Sequence, residues 1–319
     1  MLRLSRRLLL CVAVFLVTDV ANAQKYPAQP IQVLVANGPG SASDVGTRIV
    51  LNKMATSLGQ PAVIINRPGA GGALAAQAIA KAVPDGYTLL MATDSTYTAV
   101  PLTNKTVGYD LNSATTIGAI AEIHSVLLVS ATLNVKTLEE FVALAEARPG
   151  KLNYSTFEKG SASQLWLDWF LKRLGLQLEH IPYKSGPELV TAVATGDAAV
   201  TTSSLPSSQS YIDAGKLIPV MLTSSSLKSR FPNLPLVSDI ITDPIEPNVS
   251  MVLFAPPGLP AEILNLLSSE LLKAQASSDV RDALARIGLA SPVPATPEEE
   301  SRRMARKLKE YTVLINSNQ

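Results

Sequence analysis

The stretch Ile31-Gln32-Val33-Leu34-Val35-Ala36-Asn37-Gly38-Pro39-Gly40 decides the fold of this chain. Its first five residues form an apolar run with a high β-strand preference, and the turn 37–40 follows directly. A helical pattern then extends from about residue 43 to residue 58. This order predicts a β-strand that leads through a glycine-containing turn into an α-helix, the repeating unit of an α/β domain.

The same unit recurs along the next part of the chain. Residues 62–65 form a second apolar strand, and Gly69-Ala70-Gly71-Gly72 leads into a helix that ends near Ala82. Residues 87–91 form a third strand. Strands that are apolar throughout and alternate with helices are typical of a parallel sheet covered on both faces. The sequence therefore predicts a first α/β lobe.

The pattern then begins again and predicts a second lobe. Its strands are expected at 126–129, 152–155 and 179–183, and its helices at 138–147, 161–174 and 187–195. A further buried strand at 250–255 and amphipathic helices at 261–275 and 297–315 complete the chain. No internal repeat or low-complexity linker is evident, so crossing strands are expected to join the lobes. Lobe I is predicted to comprise 24–123 plus 252–319, and lobe II 124–251.

The N-terminus has the features of a secretory signal peptide. Arg3, Arg6 and Arg7 form a basic head, residues 8–17 form an apolar run, and Ala21-Asn22-Ala23 is a small-x-small cleavage site. The apolar run is about half of the roughly 20 residues that a membrane-spanning helix needs. Export with removal of residues 1–23 is therefore predicted in preference to a membrane anchor.

Composition excludes several classes of protein. Cys11, the only cysteine, lies inside the predicted signal peptide, so the exported chain must rely on its core rather than on disulfides. Leu10 precedes this cysteine where a lipoprotein site has a small residue, which leaves lipid attachment as a minor alternative. Charged residues make up 17% of the chain and the net charge is +1. Without clustered basic residues, neither nucleic acid nor an anionic surface is an expected partner.

No constellation of catalytic or metal-binding residues is evident. The chain has no Gly-x-Ser-x-Gly elbow and no P-loop, and His124 and His180 lack the spacing of metal ligands. The glycines at 69–72 resemble a dinucleotide fingerprint, but Leu74 replaces its final glycine, which favours a structural turn. We therefore expect no enzymatic activity, no metal and no cofactor, and a secreted hydrolase is a remote alternative.

Four polar turns instead indicate an anion-binding site. They comprise residues 38–43, 93–97, 160–163 and 185–187, and each precedes a predicted helix. The start of a helix has unpaired N–H groups and the positive end of the helix dipole, which together suit a carboxylate. Backbone groups can thus hold a small carboxylate without a buried arginine.

Helix capping alone is the alternative explanation for two of these turns. Ser41-Ala42-Ser43-Asp44 fits a capping box in outline, and Ser185-Gly186-Pro187-Glu188 is a strong helix start with proline in its first turn. The turn Thr93-Asp94-Ser95-Thr96 is more polar than a strand-to-helix connection requires. We expect its side chains to bind the ligand or ordered water.

Several segments along the chain resemble one family. They are Tyr26-Pro27-Ala28-Gln29-Pro30-Ile31, Asn66-Arg67-Pro68-Gly69-Ala70-Gly71-Gly72, Pro84-Asp85-Gly86-Tyr87-Thr88-Leu89-Leu90, Pro149-Gly150-Lys151-Leu152-Asn153-Tyr154, Pro182-Tyr183-Lys184 and Ala214-Gly215-Lys216-Leu217. In this order they resemble the receptors of tripartite tricarboxylate transporters, the Bug family of periplasmic solute-binding proteins. The resemblance is weaker after Leu217.

The resemblance implies a two-lobed, flytrap-like fold of the type II periplasmic-binding-protein class, with crossover strands as the hinge. It implies a periplasmic monomer that binds a small organic acid or its amide in the cleft and delivers it to a membrane permease. Gly40, Ser41 and Ser43 correspond to the loop that holds one ligand carboxylate, and the helix start at Ser185 and Gly186 corresponds to the cleft. A sensory receptor with the same ligand is the alternative.

Departures from the family pattern bear on the ligand. The third turn reads Phe157-Glu158-Lys159-Gly160, and residues 199–204 lack an acidic residue that is common there. Lys159 is either a partner for a second carboxylate or a solvated surface residue, and Phe157 or Tyr97 either stacks on an aromatic acid or packs in the protein. The complete predicted ligand-binding set is Gly40, Ser41, Ser43, Asp44, Thr93, Asp94, Ser95, Thr96, Lys159, Gly160, Ser161, Ser185, Gly186 and Ser203.

Overall fold

The computed structural model describes residues 26–157, 159–245 and 247–317. The predicted signal peptide with Cys11, and also Glu158, lie outside the described residues. Within the described part of the chain, no helix combines the length and the apolar character that crossing a membrane requires.

The strands form two sheets. In chain order they are β1 (Ile31–Val35), β2 (Ala62–Asn66), β3 (Thr88–Thr93), β4 (Thr115–Ile123), β5 (Ser125–Ser130), β6 (Asn153–Thr156), β7 (Glu179–Pro182), β8 (Val200–Ser204), β9 (Leu217–Leu222), β10 (Val249–Ala255) and β11 (Leu289–Ala290). The strands predicted from apolar runs are confirmed within one or two residues, whereas β4, β8, β9 and β11 were not predicted.

The helices follow the strands in alternation. They are α1 (Ala42–Leu58), α2 (Ala73–Ile79), α3 (Asp94–Tyr97), α4 (Ala99–Thr103), α5 (Leu138–Glu146), α6 (Ala162–Arg173), α7 (Gly186–Thr195), α8 (Leu205–Asp213), α9 (Val237–Ile240), α10 (Ala261–Ala276), α11 (Ser278–Arg286) and α12 (Pro297–Ser317). The helices predicted with limits are confirmed, with α2 ending three residues before Ala82. Helix α4 is the one expected after the turn 93–97, and the short helices α3 and α9 and the longer α8 and α11 are additions.

Five strands are arranged in the same way in both sheets, with β2-β1-β3-β10-β4 of the first corresponding to β7-β6-β8-β5-β9 of the second, and β11 is an additional edge strand. The six-stranded sheet is ordered β11-β4-β10-β3-β1-β2, and the five-stranded sheet β7-β6-β8-β5-β9. In the first, β1 pairs in parallel with β2 and β3, and β10 is antiparallel to β3 and β4. In the second, β6 pairs in parallel with β7 and β8, and β5 is antiparallel to β8 and β9. We call these sheets, with the helices packed on them, lobe I and lobe II.

Each sheet is covered on both faces, which explains its apolar strands. Val33 and Val35 face one buried cluster of lobe I, and Leu34 between them faces the other. Successive side chains of a strand point to opposite faces, so a strand with two covered faces is apolar at every position. This is why residues 31–35 carry the strongest fold signal in the sequence.

Three segments join the lobes. The chain passes from β4 to β5 through His124 and returns to β10 through Asn248, and the His124 Nδ1 atom lies 3.0 Å from Asn248 Oδ1. Helix α12 is the third segment, since Met304 packs in lobe I while Tyr311 packs in lobe II. The lobe boundaries predicted from the sequence stay a prediction, although β10, which starts at Val249, belongs to the first sheet.

Candidate functional site

The polar turns lie at the carboxyl ends of the parallel strands. Residues 38–41 follow β1 and connect to α1, and residues 157–161 follow β6 and connect to α6. The short turns at the ends of β3 and β8 are next to them, because β3 pairs with β1 and β8 with β6. In open α/β sheets, ligands bind outside the carboxyl ends of the strands at the point where the strand order reverses. Both lobes place their polar turns at this position.

The first turn of lobe I is held by Asp44. The Ser41 hydroxyl caps α1 by accepting a hydrogen bond of 3.2 Å from the Asp44 N–H, and Asp44 Oδ2 accepts one of 3.0 Å from the Gly40 N–H. Gly40 has a φ of +73°, a conformation that favours glycine. The capping interpretation is thus confirmed, except that Asp44 reaches the residue before the cap rather than the cap itself.

Asp44 is an ionised, fully paired side chain. Its carboxylate also accepts hydrogen bonds from Arg48 at 2.9 Å and from Asn66 at 2.9 Å, and it is almost completely buried. Burial raises its pKa, but the bonds from Arg48, Gly40 and Asn66 outweigh burial, and the pKa of Asp44 lies below its ordinary value. Asp44 therefore shapes the turn. Ser43 is almost completely buried, whereas Gly40 is exposed and Ser41 is partly exposed.

The first turn of lobe II has the same construction. The Ser161 hydroxyl accepts a hydrogen bond of 3.3 Å from the Gln164 N–H, and Gln164 Oε1 accepts one of 2.9 Å from the Gly160 N–H. Gly160 has a φ of +84°. Here a neutral amide takes the place that a carboxylate has in lobe I.

These two turns have the same sequence. Gly40-Ser41-Ala42-Ser43 and Gly160-Ser161-Ala162-Ser163 are identical, and each follows the first parallel strand of its sheet. A match of four residues is too short to be an internal repeat, and sequence analysis overlooked it. Sequence analysis also missed Gln164, which this match would have revealed as the counterpart of Asp44.

The capping geometry by itself does not mark a ligand site. On α5, Glu140 accepts a hydrogen bond of 2.6 Å from the Lys136 N–H while Thr137 caps the helix. The same arrangement starts α7, where the Ser185 hydroxyl accepts a bond of 3.4 Å from the Glu188 N–H. What sets the repeated turns apart is their shared sequence and their place at the ends of β1 and β6.

The turn after β3 divides into buried and accessible residues. Asp94 and Thr96 are buried, and Thr96 donates a hydrogen bond of 3.0 Å to the Gly71 carbonyl. Thr93 and Ser95 are partly exposed, and their hydroxyl oxygens lie 2.9 Å apart. Since α3 has only four residues, its dipole is small, and the hydroxyls of Thr93 and Ser95 are the groups that can reach a ligand.

Asp94 is a buried carboxyl group behind this turn. Burial raises its pKa to about 6, while the charge of Lys307 and the N–H groups of Ser250 and Ser95 act in the opposite direction. Its side chain has no exposed surface, which places it behind the accessible face of the turn rather than on it. Asp94 is therefore placed to affect the stability of the fold rather than to contact a ligand.

In lobe II, the turns after β6, β7 and β8 converge. A β-carbon at Gly186 would lie 3.4 Å from the hydroxyl oxygen of Ser207 and 4.0 Å from the ring of Phe157. Ser203, at the end of β8, is almost completely buried, and Lys159 is exposed. The exposed Lys159 is still close enough for its charge to add to burial in lowering the pKa of His180.

The two aromatic candidates, Tyr97 and Phe157, differ in burial. Tyr97 is 1% exposed and packs against Tyr109 and Phe254, with ring centroids 5.4 and 4.6 Å away. Packing therefore accounts for Tyr97. Phe157 is 41% exposed next to Gly186, so its ring is available to a ligand.

The lobes contact each other beside the turns of lobe II. The Thr103 hydroxyl of lobe I lies 3.5 Å from the Gly160 carbonyl of lobe II. A β-carbon at Gly288 of lobe I would lie 3.0 Å from Pro206, at the start of α8. The turn at Gly160 and the start of α8 thus lie next to lobe I.

The histidines have structural partners. His124 pairs with Glu122 and Asn248 at the lobe crossing, and His180 lies 2.7 Å from the Thr156 hydroxyl and stacks on Tyr154. Within the described ranges, no three His, Cys, Asp or Glu residues are grouped so that they could hold a metal ion.

A fold of two lobes, each with a capped helix start at the carboxyl end of a parallel strand, is typical of a solute-binding protein, and the comparisons give its family. Residues 47–318 match the family model described as "Tripartite tricarboxylate transporter family receptor". Protein BugT of Bordetella pertussis is 31% identical over 316 residues, which cover 97% of this chain and 96% of BugT. The chain belongs to the tripartite tricarboxylate transporter receptor family.

Solved structures confirm the two-lobed fold. One, described as a periplasmic transporter, has 30% identity and a TM-score of 0.81, and covers 91% of this chain and 97% of its own. A second, Rpa4515 of R. palustris with adipate, has 25% identity and a TM-score of 0.84, and covers 92% of this chain and 98% of its own. The resemblance and the fold class inferred from the sequence are confirmed. The ligand contacts of individual residues stay a prediction.

Proposed function

We propose that this protein is a periplasmic receptor that captures a small carboxylate, or its amide, between its lobes and delivers it to the membrane permease of a tripartite tricarboxylate transporter. The observation that carries the proposal is the pair of identical turns at 40–43 and 160–163, one in each lobe, each at the start of a long helix. The relative solved with adipate supports a carboxylate as the ligand.

Each turn contributes backbone donors to the ligand. The first N–H groups of a helix have no partner within the helix, and the helix dipole adds positive potential. Because Asp44 and Gln164 already hold the turns in shape, binding does not have to order them. The hydroxyls of Thr93 and Ser95, the helix start at Ser185–Gly186 and the charge of Lys159 complete the proposed set.

A ligand that contacts both lobes favours their closed arrangement. Binding then shifts an equilibrium between open and closed forms, and the permease distinguishes the two. The crossing segments at His124 and Asn248 are the natural hinge, because they connect the sheets with few residues.

The proposal includes export of the mature protein to the periplasm. Signal peptidase removes residues 1–23, cleaving near Ala23, and the mature protein is a periplasmic monomer that binds its ligand without transforming it. The first residues of the purified mature protein, determined by N-terminal sequencing, and its mass in solution test these statements directly.

A thermal-shift screen tests the proposed function. The panel contains adipate, other mono- and dicarboxylates, aromatic acids and their amides. Ligand at about a hundred times its dissociation constant stabilises a protein by about 2.7 kcal/mol, which is a readily measured shift. An absence of stabilisation by every acid in the panel would refute carboxylate capture, and chemical turnover of a bound acid would refute the receptor function.

A further inference from the structure

The two repeated turns differ in the group that locks them. A carboxylate such as Asp44 presents two equivalent acceptor oxygens, whereas the amide of Gln164 presents one acceptor and one donor. The Gly160 N–H requires the acceptor end of this amide, which it meets at 2.9 Å. The turn of lobe II is therefore held only while the amide keeps one orientation.

Asp168 holds that orientation. One turn further along α6, its Oδ2 atom accepts a hydrogen bond from Gln164 Nε2, and its Oδ1 atom accepts one from the Tyr154 hydroxyl. A continuous chain of hydrogen bonds thus runs from Tyr154 on β6 through Asp168 and Gln164 to the backbone of Gly160. Gln164 is 7% exposed, so water has little access to replace these bonds.

We propose that Asp168 is a positioning residue for ligand binding: its ionised carboxylate orients the Gln164 amide, which holds Gly160 and Ser161 in the binding conformation. The inference rests on the proposed function of this turn. Asp168 itself does not contact the ligand.

The position of Asp168 makes this lock sensitive to pH. Asp168 and Tyr154 line an open cavity of about 470 Å³ on the surface of lobe II, so protons can reach the carboxylate. Burial raises the pKa of Asp168 to about 6. A protonated carboxyl group has one O–H donor and no negative charge, so its bond from the Gln164 amide loses the strength that the charge supplies. The lock therefore weakens as the pH falls through this pKa.

Other charged groups face this network. Lys172 lines the same cavity from the next turn of α6. His180 on β7 stacks on the Tyr154 ring with centroids 5.0 Å apart, and burial together with the charge of Lys159 lowers the pKa of His180, which favours its neutral form. The weakening of the lock is therefore expected near pH 6.

The first test is the affinity of Asp168→Asn at several pH values. Adipate is the first ligand to be tried, and otherwise the panel acid that binds wild type most tightly is used. At pH 7.5 the variant should bind about threefold to tenfold more weakly, the effect of one hydrogen bond. At pH 5 the ratio should approach one, because wild-type Asp168 is then protonated as well. The ionisation of the ligand cancels in this ratio.

The chain offers a matched control. Gln209 and Asp213 form the same Gln-to-Asp pair, four residues apart, at the exposed end of α8. Asp213→Asn should leave both affinity and its pH dependence unchanged. Asp168→Asn with wild-type affinity at pH 7.5, or a loss that is the same at pH 5 and 7.5, would refute the positioning role.

Amide hydrogen exchange decides the question without a variant or a ligand. In the wild-type protein, the ratio of the exchange rate at Gly160 to that at Gly40 should rise about threefold or more between pH 7.5 and 5, because only Gly160 depends on Asp168. A constant ratio would contradict the inference. Failure of wild type to bind any acid would refute the proposed function, and the exchange ratio would still decide whether Asp168 holds the turn.

Discussion

The turn at Gly40 and the turn at Gly160 share four residues, a serine cap and a glycine with positive φ, yet they are locked by different chemistry. In lobe I, Asp44 is paired with Arg48, and its pKa is lowered. In lobe II, the neutral Gln164 depends on Asp168, whose pKa burial raises to about 6. Identical local sequence thus sets the same backbone shape, while the residues that follow it on each helix decide how firmly and over what pH range the shape is kept.

The largest expected effect comes from blocking one turn. Ser41→Trp and Ser161→Trp each place a bulky ring at a helix start, and each should weaken binding of the best panel acid at least about a hundredfold, or about 2.7 kcal/mol. Titration calorimetry measures both. Equal losses would support equal contributions of the two turns to binding. Unchanged binding by Ser41→Trp would show that the first turn is not part of the site.

Asp94→Asn tests a pH dependence of stability in lobe I that arises outside the turn at Gly40. A raised pKa in the folded state means that charging Asp94 opposes folding, so its contribution to stability is full below about pH 4 and lost as the pH rises through 6. The shift to about 6, which already includes the attraction to Lys307, corresponds to at most ~3 kcal/mol. Urea unfolding should show Asp94→Asn more stable than wild type at pH 8 and equal at pH 4. Equal stability at pH 8 would contradict a charged, buried Asp94.

Asp44→Ala tests the ionic lock. It leaves the Gly40 N–H without its acceptor and removes one of the two acceptors of the Asn66 amide, which also donates to the Asn37 carbonyl. Because Arg48 is partly exposed, the ion pair adds little, so a loss of about 2 kcal/mol is expected. The depressed pKa of Asp44 means that its contribution exists above pH 4 and fades in stronger acid. Glu140→Ala is the matched control, since Glu140 has the same capping role on α5 and should change stability but not affinity.

Phe157→Ala has the smallest predicted effect and concerns selectivity. An exposed ring beside Gly186 gains about 0.5–1.5 kcal/mol from an aromatic pair, so aromatic acids should bind about threefold to tenfold more weakly while aliphatic acids are unchanged. Val83→Ala, which changes another exposed apolar side chain, is the control. The same loss for both classes of acid would refute a stacking role.

Sequence patterns predicted the elements that carry their own local signal. Residues 31–35 formed β1 with the predicted limits, and the caps at Ser41 and Ser185 started the helices that they indicated. Strand β4 was missed because Gly118, Ala119 and Ala121 interrupt its isoleucines. That glycine has a packing reason, since a β-carbon there would lie 2.9 Å from Leu271 on α10.

By itself, then, the sequence determined the alternating strands and helices, the capped turns, and through its family resemblance the two lobes. Only the tertiary structure decided that β1 and β6 occupy equivalent positions, that Tyr97 is buried while Phe157 is exposed, and that Tyr154 on β6 reaches Asp168 on α6. The physical reason is the range of the interactions. Caps and periodicity depend on residues a few positions apart, whereas burial and the partner of a buried polar group depend on segments brought together by the whole fold.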